Sequence, residues 1–327
     1  MSTRRDFIAL LGGMAAWPLA ARAQQASRTI GYLSPRSSDF EENVLLPAFR
    51  QGLSETGFLV GKNLRIEYRW AEGQYDRLPA LAADLVANSV ELIVTTGGPQ
   101  PFRAVRRLTN TIPLVFTSGS DPVGDGLVDR LDRPSGNATG VHAFVTSLSP
   151  KRLELLRELV PKADLVAVLI NPTNPNLSTR LQDMQAAARR MGLQLFTVNA
   201  SNESDIDIAF AAVVRAGAAA LLVIDDAFFA DHREQIVALA ARHGLPTSYP
   251  SSQFVPDGGL MGYTDERFES IRQVGRYVGR ILKGEKPADL PVLQPTKFGF
   301  AINLKTAKAL GLTIPETLLA TADEVIQ

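Results

Sequence analysis

Short apolar segments alternate with longer segments of helical periodicity along most of the chain. The apolar segments are rich in valine, isoleucine, leucine and threonine, as β-strands are, and they lie at residues 29–33, 64–68, 92–95, 114–116, 166–170, 194–198 and 220–224. Apolar residues recur every three or four positions between them, which predicts helices at 44–55, 77–87, 101–108, 151–159, 177–191, 203–216 and 230–243. This alternation predicts an α/β fold of parallel sheets with helices on both faces.

The strand–helix series occurs twice, once before about residue 143 and again from about 150 to 250. Each series has the length of one doubly wound unit, so we expect two lobes. A further strand, a helix near 266–283 and a proline-marked tail are expected to cross back between them. We therefore assign residues 28–143 and 251–283 to the N-terminal lobe, and residues 144–250 and 284–327 to the C-terminal lobe. Several crossings predict a hinge with a ligand-enclosing cleft.

The first 23 residues have the features of an export signal. Arg4 and Arg5 precede an apolar run at 7–19, and a small-x-small cleavage site at 21–23 precedes two glutamines. The adjacent arginines resemble those of twin-arginine signals. The alternative is an uncleaved anchor, for which the run is short, since a membrane span needs about 20 apolar residues. We expect cleavage after Ala23 and a mature chain outside the cytoplasm.

Charge, cysteine content and motifs exclude several partners and chemistries. Thirty-four basic residues balance 34 acidic ones without a basic run, which argues against a nucleic-acid partner. The chain has no cysteine, so disulfides, thiolate metal sites and a lipid-anchored cysteine are excluded. The three histidines, His142, His232 and His243, lack metal-ligand spacing, and no nucleophile elbow, phosphate loop or dinucleotide fingerprint is present. The sequence therefore predicts no catalytic residue, no metal and no cofactor.

Candidate binding residues follow from the predicted sheets, because ligands of doubly wound sheets lie beyond the carboxyl ends of the strands. In the first lobe these ends are rich in hydroxyls and glycine, which suits a carboxylate or another small anion. In the second lobe a carboxylate could pair with a ligand ammonium group, and tyrosines could stack on a flat ligand. The candidates are Ser34, Gly97, Ser118 and Asp121 in the first lobe, then Asn171, Asp225 (with its neighbour Asp226), Tyr249 and Tyr263.

Each of these interpretations has a structural alternative. Asp121 precedes Pro122, so it could be a helix cap, and the pair Asp225 and Asp226 could cap the helix that follows. The two tyrosines could be packing residues. An exported hydrolase on the same scaffold is also compatible with the fold, although it would need a nucleophile and a base for which the sequence offers no candidates.

Several motifs resemble one known family over nearly the whole mature chain. They are residues 49–57 (FRQGLSETG), 66–73 (IEYRWAEG), 112–124 (IPLVFTSGSDPVG), 134–140 (PSGNATG), 283–292 (KGEKPADLPV), 294–298 (QPTKF) and 302–315 (INLKTAKALGLTIP). Together they are similar to the ABC transporter substrate-binding family that includes the tryptophan and tyrosine binders. The chain departs from that pattern at 117–120 (TSGS), where bulkier residues are frequent, and at 98–101 (GPQP), where an alanine-rich helix start is usual.

The resemblance implies a two-lobed receptor of the periplasmic binding protein type, with three crossings between its lobes and no enzyme activity. It implies a role as the periplasmic component of an ABC importer, which captures an amino acid, an aromatic amino acid or a related small carboxylate for a permease and ATPase complex. Position by position, it carries over to Ser34, Gly97, Ser118, Asp121, Asn171 and Asp225. A sensing subunit that hands its closed form to a membrane kinase is the alternative, and a shuttle of either kind is expected to be a monomer.

Overall fold

The computed structural model describes residues 27–143, 148–174, 177–265, 267–294 and 298–327. The predicted export signal at 1–23 lies outside these ranges. The framework consists of a five-stranded sheet and a seven-stranded sheet, and helices flank both of them. The predicted α/β fold with two doubly wound lobes is confirmed.

The first sheet is parallel throughout and has the order β2-β1-β3-β4-β5. Its strands are β1 (Arg28–Ser34), β2 (Leu64–Trp70), β3 (Ile93–Thr95), β4 (Leu114–Ser118) and β5 (Ala138–His142). Apolar residues run almost continuously through β3 and β4, which are buried on both faces, as parallel strands between two helix layers are. Strand β5 was not predicted, because its sequence ATGVH has no apolar run although all five residues are buried.

The second sheet has the order β12-β11-β10-β9-β8-β6-β7. Its strands are β6 (Leu165–Ile170), β7 (Gln194–Asn199), β8 (Ala220–Val223), β9 (Thr247–Tyr249), β10 (Met261–Asp265), β11 (Phe298–Asn303) and β12 (Glu324–Ile326). Strands β6 to β10 repeat the order and the parallel pairing of the first sheet. Strand β11 is antiparallel to β10 and extends the sheet beyond the repeated unit.

The helices occupy the segments between the strands. They are α1 (Ser38–Phe40), α2 (Leu46–Glu55), α3 (Leu78–Ala87), α4 (Pro99–Arg106), α5 (Leu148–Leu159), α6 (Leu177–Arg190), α7 (Glu203–Arg215), α8 (Ala227–Asp231), α9 (Arg233–Arg242), α10 (Arg267–Leu282), α11 (Leu304–Ala309) and α12 (Glu316–Thr321). Proline lies in the first turn of α2, α3 and α4, where its missing N–H has no helical partner to lose. The helix predicted at 230–243 is two helices, because the backbone leaves the helical conformation at His232.

Two boundaries of the predicted lobes were wrong. Strand β10 was assigned to the N-terminal lobe with residues 251–283, but it pairs with β9 and β11 in the second sheet. Of the tail that was assigned to the C-terminal lobe, strands β11 and β12 do lie in the second sheet. The part before them does not, because Leu293 bridges to Val141 of β5 and Leu290 lies in the first lobe's core. The chain therefore passes between the two sheets three times, after β5, after β10 and before β11.

Glycines let α10 pack closely against α2, and this contact fixes α10 to the first lobe. A Cβ atom on Gly275 would lie 2.3 Å from the carbonyl oxygen of Phe49, and one on Gly52 would lie 2.0 Å from the carbonyl oxygen of Arg272. Side chains longer than hydrogen would force the two backbones apart. This packing places the first turn of α10 at the boundary between the lobes.

We expect the substitution Gly275→Val to separate α2 from α10. Overpacking of this kind lowers the free energy of unfolding by about 1–3 kcal/mol, and each kcal/mol lowers the melting temperature by about 2–4 °C. The matched control is Gly299→Val in β11, since a Cβ atom there has no neighbour within 4 Å. Equal melting temperatures for the two variants would contradict the close packing of the helices.

Candidate functional site

The carboxyl ends of the strands in the two sheets face a common cleft. In the first sheet β1 lies between β2 and β3, so the loops after β1 and β3 leave the sheet on opposite sides. In the second sheet the same arrangement occurs at β6 and β8. Such topological switch points are where doubly wound sheets bind ligands. Because both lobes present a switch point, a solute in the cleft can contact both.

A small cavity of about 40 Å³ lies between the lobes at these strand ends. The first lobe contributes Arg36, the glycine pair Gly97 and Gly98, and residues 117–119 to its wall, and the second lobe contributes Arg180 and Asp225. Ser270 and Ile271, at the start of α10, also line it, as do Leu45 and Ala143 of the first lobe. A water molecule occupies about 10–15 Å³ by such a measure, so the cavity has room for only a few atoms, and a solute enters by parting the lobes.

Arg36 lies two residues beyond β1 and is only 7% exposed. Its Nη1 atom is 3.7 Å from the carboxylate of Glu41, and its guanidinium lies 5.7 Å from the ring centre of Phe40. Burial lowers the pKa of Arg36, but the negative charges of Glu41, Asp225 and Asp231 more than offset this effect, so the pKa is raised. Within the described part of the chain, Arg36 Nε has no hydrogen-bond partner.

The fully buried carboxylate of Glu41 is the counter-charge that holds Arg36 in position. Glu41 begins a π-helical turn, Glu41–Leu45, between α1 and α2, and such turns often occur at functional sites. Its carboxylate accepts hydrogen bonds from Tyr32 Oη at 2.9 Å, Ser34 Oγ at 2.5 Å and Thr96 Oγ1 at 3.3 Å. Three hydroxyls and one guanidinium therefore stabilise the buried negative charge, which in turn holds Arg36 in place.

Arg180 reaches the cavity from the second lobe. It lies in the first turn of α6, is 7% exposed and donates a hydrogen bond through Nη1 to the carbonyl oxygen of Asp225. Its Nε atom, like that of Arg36, lacks a partner among the described residues. The cavity wall thus combines two buried arginines, one from each lobe, with Asp225.

Asp226 fastens the second lobe's loops to each other and to the first lobe. Its carboxylate accepts hydrogen bonds from Asn171 Nδ2 at 3.0 Å, Asn174 Nδ2 at 2.6 Å and the backbone N–H of Phe228 at 2.9 Å. Tyr75 Oη of the first lobe donates a fourth at 3.3 Å. Burial raises the pKa of Asp226, although the hydrogen bonds from the two asparagines act in the opposite direction.

A second contact joins the lobes near the cavity. The backbone N–H and the hydroxyl of Ser37 donate to the carboxylate of Asp231 at 3.0 and 2.7 Å. Burial raises the pKa of Asp231, and these hydrogen bonds oppose the shift. Together with the Tyr75–Asp226 contact, this pair holds the lobes against one another on the side of α8.

Three of the residues predicted from the sequence line the cavity, namely Gly97, Ser118 and Asp225. Gly97 has a φ of 79°, and a Cβ atom there would lie 2.5 Å from Pro35, so only glycine lets this loop pass the loop that carries Arg36. Ser34 lies one layer deeper, where its hydroxyl donates to Glu41 and accepts from the backbone N–H of Arg36 at 3.1 Å.

The structure places the other four predicted residues outside the wall of this cavity. Asp121 is exposed and accepts a hydrogen bond from the backbone N–H of Val123 at 3.0 Å, as a cap does. Asn171 donates a hydrogen bond through Nδ2 to Asp226, and its Oδ1 atom accepts from both the N–H and the hydroxyl of Thr173. Tyr249 is buried in the core, stacked on Phe254 with ring centres 4.8 Å apart, and Tyr263 packs against Phe298 and Phe300. None of the four lines the cavity.

Sequence reasoning missed Arg36 and Arg180, which the structure brings together. Arg36 lies in the same loop as Ser34, but the sequence pattern at these strand ends favours hydroxyls and glycines as the binding groups. Arg180 carried a signal of its own, because a cation in the first turn of a helix opposes the helix dipole. A residue placed against local preference in this way points to a function that depends on tertiary structure.

A second, larger cavity of about 850 Å³ lies at the amino-terminal end of the first sheet's strands. Arg28, Asn63, Glu91 and Lys283 line it, far along the strands from the switch point. The interlobe cavity is the better candidate for solute binding, because both switch points meet there.

Within the described ranges no helix is both long and apolar enough to cross a membrane. In the same ranges, no group of three or more His, Asp or Glu residues is placed to hold a metal ion.

Comparisons with known proteins agree with this architecture. The family model for ABC transporter substrate binding proteins matches residues 45–326. A tyrosine-binding protein of Clostridioides difficile (strain R20291) is 24% identical over 264 residues, which cover 81% of this chain and 75% of that protein. An ABC domain from Streptococcus pneumonia, solved in complex with L-Trp, is 27% identical with a TM-score of 0.78, over 91% of this chain and 100% of that one. A conserved domain protein from Vibrio cholerae is 26% identical with a TM-score of 0.79, over 91% and 99%.

The chain belongs to the ABC transporter substrate-binding protein family, because the family model covers well over half of its length. Members of this family bind small-molecule solutes and work with the membrane components of ABC transporters. The protein is accordingly a solute-binding protein and not an enzyme. The family resemblance expected from the motifs is confirmed.

Proposed function

We propose that this protein is the periplasmic component of an ABC importer and that it captures an amino acid or a related small carboxylate between its lobes. The observation that carries the proposal is the interlobe cavity, which is lined by two buried arginines, Arg36 and Arg180, whose Nε atoms have no hydrogen-bond acceptor among the described residues. The carboxylate of Asp225 in the same wall suits a ligand ammonium group. A zwitterion satisfies both kinds of group at once.

The relatives and the sequence support the remaining parts of the proposal. One relative is described as a tyrosine-binding protein, and another was solved with L-Trp, so amino acids are solutes for proteins of this fold and family. The twin-arginine-like segment at residues 1–23 supports export to the periplasm. Delivery to a permease and ATPase complex, with the protein acting as a monomer, completes the proposed role.

A thermal-shift screen of residues 24–327 tests the proposed function. The panel contains the amino acids, aromatic acids, short peptides and sugars. A solute present at 100 times its Kd stabilises the protein by about 2.7 kcal/mol, which raises the melting temperature measurably. We expect a shift with amino acids or small carboxylates, and recovery of the compound unchanged by mass spectrometry. No shift with any member of the panel, or a chemically altered compound, would contradict the proposal.

A further inference from the structure

We infer that the carboxylate of the solute joins the two lobes directly, by accepting hydrogen bonds from Arg36 on the first lobe and from Arg180 on the second. This inference rests on the proposed function and specifies which group of the solute closes the cleft. Solutes that lack a carboxylate are then unable to hold the lobes together, whatever else they contact.

The two arginines come from different lobes, and they line the same cavity because the lobes are in contact there. Arg36 follows β1 of the first sheet, and Arg180 lies on the helix after β6 of the second, yet both line one cavity and both are 7% exposed. A buried N–H group without an acceptor destabilises the protein, and the effect is larger when the group is charged. Since neither Nε atom has an acceptor among the described residues, an acceptor supplied by the solute removes this destabilising effect on both lobes.

The geometry of a guanidinium group favours a carboxylate as that acceptor. Its planar N–H groups match the two oxygens of a carboxylate, whereas a single hydroxyl or an amide oxygen satisfies fewer of them. The rest of the wall is also rich in hydroxyl groups, from Thr117, Ser118 and Ser270. The first turn of α10, a helix of 16 residues, adds its positive dipole end beside the two arginines.

The neighbouring acids do not replace the solute as the acceptor. Both oxygens of Glu41 already accept hydroxyl donors, and its nearest contact with Arg36 is at Nη1, not Nε. Asp225 meets Arg180 through its backbone carbonyl oxygen. Asp226 is occupied by four donors, and Asp231 by Ser37. These carboxylates offset the positive charge, so that two guanidinium groups can be buried close together before a solute arrives.

Closure can be followed with a native probe. Of the two tryptophans only Trp70 remains after residue 23, and it stacks on Tyr68 with ring centres 5.2 Å apart. Trp70 packs against the first lobe's core, and Ala230 of the second lobe belongs to the same cluster. We therefore expect separation of the lobes to change the surroundings of this cluster and, with them, the fluorescence of Trp70, which would report on closure independently of calorimetric affinity.

The test compares acids with their amides on the mature chain. Each of the twenty amino acids is titrated by calorimetry and by Trp70 fluorescence, and every amino acid that binds is repeated as its carboxamide. We expect the carboxamide to bind at least 100-fold more weakly and to leave the fluorescence unchanged. An amide that binds as tightly as its acid would overturn the inference.

Substitutions assign the effect to the two arginines. Arg180→Gln is expected to weaken amino-acid binding about 100-fold and to abolish the fluorescence change, whereas Arg189→Gln, at an exposed position on the same helix, has no effect. Arg36→Lys keeps a positive charge beside Glu41 but loses the planar guanidinium group with its paired N–H donors, so the affinity for the amino acid should fall about tenfold or more. Melting temperatures identify any variant that has not folded. Wild-type affinity in folded Arg180→Gln contradicts the inference.

The outcomes separate this inference from the function on which it rests. Tight binding of an amino acid whose carboxamide binds equally well overturns the inference and leaves the proposed capture of amino acids in place. Tight binding of a sugar alone, or failure of every compound in the panel to bind, overturns both. Binding of an amino acid that depends on its carboxylate and on Arg180 supports both.

Discussion

Replacing Glu41 with glutamine should lower the free energy of unfolding by about 3–5 kcal/mol, the usual cost of breaking a buried ion pair. The amide presents N–H groups to three hydroxyls, those of Tyr32, Ser34 and Thr96, that now donate to the carboxylate. It also leaves the buried guanidinium of Arg36 without its nearest counter-charge. Urea unfolding of the wild-type and variant proteins measures the difference.

The neighbouring Glu42 provides a matched control. It pairs with Arg50 on the surface, where both side chains are about 40% exposed, so Glu42→Gln should change stability by no more than about 1 kcal/mol. Glu41→Gln should also weaken solute binding, because Arg36 loses the support that orients it. Equal unfolding curves for the two variants would show that Glu41 does not hold Arg36 as described.

Replacing Asp226 with alanine should lower the free energy of unfolding by about 3 kcal/mol. The change removes the N-cap of α8, worth about 1 kcal/mol, and removes the acceptor of two buried hydrogen bonds, those donated by Asn171 and Asn174. It also removes the bond from Tyr75 that joins the lobes. A melting curve measures the loss, and Asp132→Ala, at an exposed ion pair with Arg130, should have little effect.

The variant Asp226→Asn distinguishes the contribution of the hydrogen bonds to stability from the contribution of the ionisable carboxyl group. The side chain keeps one acceptor oxygen, so the variant should be more stable than Asp226→Ala. Because burial raises the pKa of Asp226, its protonated form is favoured in the folded protein. Relative to Asp226→Asn, the wild type should therefore lose stability as the pH rises from the ordinary aspartate value through the raised pKa. A stability difference that is independent of pH over this range would contradict a raised pKa.

The fold could be predicted because parallel strands between helix layers are apolar throughout, and the helices between them have a clear period. The prediction failed where strands lack that signal. Strand β5 (ATGVH) is built from small and polar residues, and β10 (MGYTD) was placed in the wrong lobe. The lobe to which β10 belongs depends on its pairing with β9 and β11, which is a long-range contact that local pattern does not encode.

The site could be predicted only as far as the strand ends. Gly97, Ser118 and Asp225 line the interlobe cavity because they follow buried strands. Whether a polar side chain points into the cleft or caps a nearby loop depends on its rotamer and neighbours, so the sequence did not reveal that Asp121 and Asn171 make local hydrogen bonds outside this cavity. The two arginines escaped notice because their significance arises from burial against the opposite lobe.

Five strands of the second sheet repeat the order of the first, which brings two switch points to one cleft and supports the proposal that the lobes enclose the solute. The first lobe supplies Arg36 on the Glu41 network, and the second supplies Arg180 and Asp225. The polar contacts of Ser37 with Asp231 and of Tyr75 with Asp226 join the lobes beside the cavity. The proposed delivery of the solute requires these contacts to break when the lobes part.

A crystal structure of residues 24–327 with the amino acid that gives the largest thermal shift tests the central claim most directly. The account predicts solute density between the lobes, with its carboxylate oxygens within hydrogen-bonding distance of both Arg36 and Arg180. Density in the cavity beside Arg28 and Lys283, at the other end of the first sheet, would contradict it.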